Sequence, residues 1–455
     1  MNGLREMYKY AVIISGNNIL TSALNFAAFL VIFNALGTYG FGLLTLAMSV
    51  ASIATFSIEL GFGKAIVSDV SKELRQNNLA GASGLFLGYV IFMLLSSGLL
   101  AAMMLFFSGN VSAYFGKDLS AIIKFIAALA FLSGAKTVVM SAFHIVADFW
   151  KYAAFLFVDS LTKLAMVFIF VTFISRTTEG VLQAYILSGA LTVIIFLFLI
   201  PREILGILRV RSDPVLFFEM VKRHGKWVAA FSQLRSLESN LSPWIVEYFL
   251  GVSAVGVYGA LLKVQVLIMK IFEPLETIFY PLVNKYGSFD DSRKMTYRAT
   301  KYILFISLPF LLAGMVFAEP LLGLVLGHGF SGYAWVFRVL LLTVFIFIIN
   351  IPMKPLFFNL KAQKSLAMIA AVLLASTIAL GSALTFHFGL VGMAVNNVLT
   401  PLIDVLLKNR FMKKVSGDKY TLKEMLTVDG ADISFAKKII SNPKLIWAIF
   451  RDGAK

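Results

Sequence analysis

Seven ionisable side chains, Lys136, Asp159, Lys163, Arg235, Glu238, Lys263 and Lys270, interrupt runs of Leu, Ile, Val, Phe and Ala that are each long enough to cross a bilayer. A charge at the bilayer centre costs at least ~2.5–3.5 kcal/mol, so such groups face a protein interior or a watery cavity. Their presence on several helices implies one shared polar cavity, and five of the seven are cations. The chemistry that suits such a cavity is the reversible binding of an anion.

Spacing sorts these residues further. Asp159 and Lys163 are four apart with the acid first, and Arg235 and Glu238 are three apart, so each couple shares a helix face and can pair. Two readings stay open for these couples: mutual neutralisation between helices, or a part in the cavity. Lys136 and Lys263 have no acid close by in sequence, which makes them the better candidates for holding an anion. Lys270 lies on the same face as Lys263 and can also stretch its stem to the inner interface. At about 1.5 Å per residue, Asp159, Lys163, Glu238 and Lys263 fall in the middle third of the membrane, with Lys136 and Arg235 nearer the cytoplasmic side.

Asn17, Asn18 and Asn25 on the first span can bond hydroxyl groups in the cavity or hold neighbouring helices together. Glu59 and Asp404 sit near the inner ends of their spans and read as structural or gating groups. Asp159 and Glu238 are the acids best placed to take a coupling Na+ or H+. The four histidines lack metal-ligand spacing, and no Walker loop or catalytic triad is present. There is no cysteine, hence no disulfide or thiolate site. No metal or organic cofactor is expected.

The elements that must carry these groups are membrane helices. The chain of 455 residues is 59% hydrophobic and 14% charged, with a mean hydropathy of +0.86; a soluble domain would carry roughly 25% charged residues. The expected fold class is all-α and polytopic, with about twelve spans near 10–35, 41–66, 83–107, 121–145, 151–175, 180–200, 228–250, 255–283, 302–326, 334–357, 366–386 and 388–408. Each has roughly the length a helix needs to cross hydrocarbon. The net charge of +16 is concentrated in one set of loops, including Arg202, Arg209, Arg211, Lys222, Arg223 and Lys226. Lys361, Lys364, Lys408, Arg410, Lys413 and Lys414 fall on the same side. The opposite loops contribute only Lys117 and Arg176. This asymmetry predicts a multi-pass protein of the cytoplasmic (inner) membrane with both termini cytoplasmic. It also accounts for the basic balance without nucleic acid.

The longest internal polar stretch divides the chain into two sets of six spans, residues 1–210 and 228–410. They are joined by a cytoplasmic linker, 211–227, and followed by a tail, 411–455. A repeat supports the division: Leu36-Gly37 to Gly42 and Leu250-Gly251 to Gly256 both read Leu-Gly-x4-Gly at an outer hairpin, where glycine permits a tight reversal. Gly180 and Gly392 begin spans six and twelve at a similar offset. All eleven prolines lie at or after Pro201. Pro274, Pro281, Pro309, Pro352 and Pro355 fall in or near spans, so the second half is expected to be the more bent.

Several short motifs carry a resemblance. Asn34 to Met48 resembles the first hairpin of polysaccharide transporters, and Ile58-Glu59-Leu60-Gly61-Phe62-Gly63 resembles the acid-Leu-Gly turn that ends their second span. The likeness continues through Tyr248 to Gly251, Val255 to Tyr258, Glu273-Pro274 and Tyr280-Pro281, and Phe388 to Ala394. These motifs are similar to those of the lipid-linked oligosaccharide flippases, also called O-antigen or repeat-unit flippases, within the superfamily that includes multidrug extruders. The resemblance implies two six-helix lobes around a central cavity, alternating access, and a substrate made of an oligosaccharide joined through pyrophosphate to a polyprenol, used in surface polysaccharide assembly. It further implies membrane lipids, a polysaccharide polymerase and chain-length proteins as partners. One departure stands out: many relatives carry an acid where this chain has Ser242-Pro243.

Two other functions compete. A multidrug antiporter of the same superfamily would handle cations and prefer an acidic cavity. A membrane-embedded polysaccharide polymerase would need a large outer loop, and the longest here is about 108–120. A transporter without enzymatic activity is therefore the expectation.

Overall fold

Hydrocarbon offers the backbone no partners, so a chain this apolar satisfies its amides within helices. The computed structural model, which describes residues 2–115, 120–285, 289–351, 353, 363–416 and 430, is helical throughout, with no strand among the described residues. In order the helices are α1 (Asn2–Glu59), α2 (Gly63–Arg75), α3 (Leu79–Phe115), α4 (Ser120–Ile145), α5 (Phe149–Ile169), α6 (Thr178–Leu197) and α7 (Arg202–Leu208). They continue as α8 (Val215–Leu250), α9 (Val252–Lys285), α10 (Phe289–Val316), α11 (Ala318–Leu326), α12 (Ala334–Asn350) and α13 (Gln363–Ser416).

Eight described helices are long and apolar enough to cross a membrane. Two of them, in α1 and α13, each hold two expected spans, broken at Gly37 and Gly389. Thr300–Val316 and Ala318–Leu326 together are long and apolar enough for a further span, bent by 72°, in the half that the sequence expects to be the more bent. The seventh expected span lies in α8, whose Arg235, Glu238 and Asn240 keep it from standing out by hydropathy. Among the described residues, each expected span therefore has a helix at its place. Pro243, Pro309 and Pro401 lie inside helices, and α9 runs on past positions 274 and 281. Pro352, Pro355 and the tail beyond residue 416, apart from residue 430, lie outside the described residues.

Two compact units are defined by contacts within the chain. The larger comprises Asn17–Val264 and Gln363–Met393; the other comprises Met1–Gly16, Gln265–Ala362 and Ala394–Lys455. In the larger unit α4 packs on α3 and α6, and α5 packs on α6. Val139, Phe143, Phe155 and Phe196 form a buried core between α4, α5 and α6. Phe196 meets Phe155 at 5.0 Å and Phe143 at 5.8 Å between ring centroids, both edge-on, the arrangement aromatic quadrupoles favour. This core fixes the rotation of three helices that carry charges. A second cluster, with Phe62, Phe86, Tyr89 and Phe217 at its centre, ties α2, α3 and the start of α8 together. Phe106, Phe198 and Leu324 are at least 80% exposed, as side chains that face lipid can be.

In the smaller unit α10 and α11 pack on α12. Gln265 donates from Nε2 to the carbonyl of Leu340 at 2.8 Å, and the Arg338 guanidinium donates to the carbonyl of Met315 at 2.9 Å while lying over the Trp335 ring.

Candidate functional site

The core between α4, α5 and α6 turns three charged side chains toward one another. Asp159 on α5 accepts from the Lys136 ammonium on α4 and lies 3.8 Å from that of Lys163, one turn further along its own helix. One carboxylate thus bridges two cations. The Asp159–Lys163 spacing is the favourable acid-first arrangement. Lys136 has no acid close by in sequence; its contact with Asp159 crosses between helices, where sequence distance carries no signal. Gly189 on α6 leaves room for the Lys136 stem, since a Cβ there would press against its Cε and Nζ.

Polar groups from two more helices complete the surroundings. Lys163 donates to Asn25 Oδ1 at 3.2 Å and lies 5.8 Å over the Tyr185 ring of α6. Asn25 in turn donates to Ser160 Oγ at 3.0 Å, which fixes α1 against α5. The hydroxyls of Thr162 and Thr192 share a hydrogen bond at 3.1 Å. Lys263 on α9 is exposed and close enough that its charge, like that of Lys136, repels that of Lys163. Lys136, Asp159 and Lys163 keep 22%, 18% and 26% of their side chains accessible. Charges left partly open on otherwise apolar helices need a polar neighbourhood. Two ammonium groups on one carboxylate give the cluster a positive balance.

The remaining expected site residues lie elsewhere along the chain. Arg235 and Glu238 pair with each other on α8 at 3.1 Å. Glu59 ends α1, where its carboxylate meets the first residue of α2, Gly63, a helix N-terminus that favours negative charge. Lys270 is half-buried on α9. Asn18 offers its carbonyl to Thr21 and Ser22, and the amide nitrogen of Asn17 is buried without a hydrogen bond. Tyr185 and Gly189 have no signature in sequence; only the packing of α6 on its neighbours brings them to the site.

A second polar cluster sits in the smaller unit. Lys408 donates to Asp404 Oδ2 at 2.8 Å and to Asn350 Oδ1 at 2.9 Å, and Asn350 donates to Asp404 Oδ2 at 2.8 Å. Sequence reading placed Asp404 near water and Lys408 among the inner basic residues. Their side chains are instead 3% and 7% exposed. α12 covers them and supplies Asn350 as a third partner.

The larger unit also holds an apolar cavity of about 290 Å³, lined by Leu46, Val50, Met104, Phe107 and Ile126, with Glu247 and Trp244 at its wall. Trp244 donates to Ser49 at 2.8 Å.

Comparison with known proteins places this geometry. The profile of a family described as "Polysaccharide biosynthesis protein" matches residues 35–335, about two-thirds of the chain. No curated protein matches it. Among solved structures, it is similar to the inward-facing conformation of a multidrug resistance MATE family transporter of the MOP superfamily, with a TM-score of 0.71 and 15% identity, over 90% of this chain and 99% of the other. It also resembles a Vibrio cholerae MATE transporter, with a TM-score of 0.64 and 14% identity over 91% of this chain and 99% of the other. A third likeness is to a Pyrococcus furiosus MOP superfamily transporter, described as having a binding pocket of reverse polarity that suggests a different function. Its TM-score is 0.63 at 14% identity, over 91% of this chain and 97% of the other. At these identities the likenesses show the fold: an all-α polytopic membrane protein built as MOP-superfamily transporters are.

Proposed function

The chain belongs to the polysaccharide biosynthesis protein family, and from that premise we propose that it carries a polyprenyl-pyrophosphate-linked oligosaccharide across the cytoplasmic membrane by alternating access. The observation that carries this reading is the contact of Lys136 and Lys163 with Asp159, with Lys263 within electrostatic reach of Lys163. Pyrophosphate does not cross hydrocarbon unaided, because stripping water from a multivalent anion costs more than a lipid tail can return. Cations held at mid-membrane depth replace that hydration. Asn25 and Tyr185 offer hydrogen bonds and a ring face to sugars, while the polyprenyl tail stays in lipid.

A multidrug antiporter is the rival within the same fold. A cluster with more ammonium groups than carboxylates disfavours cationic drugs, and a pocket of reversed polarity is already described for one similar structure. Both termini are proposed to be cytoplasmic, with a polymerase and chain-length proteins receiving the product. Consumption of the product on the far side, or exchange for Na+ or H+, would give the movement direction; Glu59, Asp159 and Glu238 are the acids proposed for gating or coupling.

The test is genetic. Lys163→Ala or Lys263→Ala, expressed in a strain whose surface polysaccharide depends on this protein, is expected to lose surface polymer while the protein inserts and accumulates normally. Normal polymer from both variants at normal protein levels would show the electrostatic mechanism to be wrong.

A further inference from the structure

An ammonium group in a membrane cavity needs a counter-charge whether or not a ligand is present. In this chain that charge is covalently part of the site: Asp159 contacts both Lys136 and Lys163. The same two lysines are the groups an incoming anion would need. An anion cannot take both ammonium groups at full strength while the carboxylate holds them, so ligand and carboxylate compete.

We propose that Asp159 is a resident counter-anion that occupies the lysines of the empty site and is exchanged for the phosphoryl oxygens of the substrate. This rests on reading the lysine cluster as a pyrophosphate site. Asp159 then has two effects. It keeps Lys136 and Lys163 extended toward the position an anion will occupy, so fewer side chains have to be ordered on binding. It also weakens binding, which transport requires, because a carrier that holds its cargo too tightly cannot release it.

Charge counting supports the balance. Lys136, Lys163 and Lys263 less Asp159 leave a surplus of two positive charges. A pyrophosphate diester carries one negative charge on each phosphoryl group, so the loaded site is neutral. Without Asp159 the loaded site would stay positive and the anion would be trapped. The geometry favours a mobile partner: Asp159 is held by Lys136 from another helix and by Lys163 at the longer distance of 3.8 Å, and neither lysine is fully buried. Lys163 also donates to Asn25 and lies against Tyr185 in the same arrangement, so it keeps partners when the carboxylate lets go.

The experiment is a titration of the purified full-length protein in detergent with inorganic pyrophosphate, paired with the polymer assay. Asp159→Asn is expected to bind pyrophosphate about tenfold more tightly or better, the scale of losing one competing charge at close range, and to export less polymer. Lys136→Gln combined with Asp159→Asn restores the original charge balance and is expected to return affinity to near the wild-type value, a rescue that a purely structural role for Asp159 would not give. If Asp159→Asn does not accumulate, the double variant is compared with Lys136→Gln alone and must bind more tightly. Wild-type binding with no gain on removing the carboxylate would overturn this inference and leave the proposed function standing. Absence of pyrophosphate binding to the wild type would overturn both.

Discussion

A carboxylate and an ammonium that are both less than a tenth exposed, as in Asp404 and Lys408, contribute to stability only if every remaining polar valence is filled. Asn350 does much of that here, accepting from Lys408 and donating to Asp404. The cluster therefore reads as a structural joint between α12 and α13, in contrast to the more open lysines around Asp159. Asp404→Ala is expected to cost about 3–5 kcal/mol because it strands a buried cation, seen as a lower unfolding temperature in detergent. Replacing the pair together, Asp404→Leu with Lys408→Met, should recover most of the loss. If the double variant is as unstable as the single, the pair has a role beyond mutual neutralisation.

Among the elements, the two glycine hairpins form a matched device inside the larger unit. Gly37 and Gly251 both have positive φ, 63° and 83°, with extended ψ, which lets the chain reverse where a side chain would be strained. The residue after each of these glycines is then met by the other hairpin: a Cβ on Gly42 would overlap the carbonyl oxygen of Val252, and one on Gly256 would overlap that of Thr38. The contact is reciprocal, as in a two-fold interface between equal parts, and it supports reading the motif as an internal repeat. Gly256→Ala is expected to separate the two backbones at a cost of about 1–3 kcal/mol. Gly98→Ala, where a Cβ meets only open space, should be neutral or stabilising, as alanine in place of glycine in a helix is. Equal unfolding temperatures for the two variants would show that the hairpins do not bear on each other in solution.

For the whole molecule, the distribution of basic residues assigns the sides of the membrane. The segments around 202–226 and 285–301 each carry a cluster of basic residues and are expected to face the cytoplasm. The natural chain has no cysteine, so single cysteines report cleanly. Phe218→Cys and Asp290→Cys are expected to react with an impermeant thiol reagent only after the membrane is opened. Labelling of either from outside intact cells would overturn the twelve-span topology with cytoplasmic termini.

The sequence alone determined the element list, because hydrocarbon leaves an apolar backbone no alternative to helix and sets the length each helix must have. It also determined the hairpin glycines, whose conformation is a local matter, and the Asp159–Lys163 couple, which follows from helical pitch. Tertiary structure decided what lies beyond one helix. Lys136 reaches Asp159 because Phe143, Phe155 and Phe196 lock α4 and α5 at one rotation, and no spacing rule reports on that. Lys408 is buried because α12 covers it with Asn350, whereas its place at the end of a span suggested water. The types of charge were legible in the sequence, but their partners depended on packing, since pairing between helices is set by which faces the core turns toward each other.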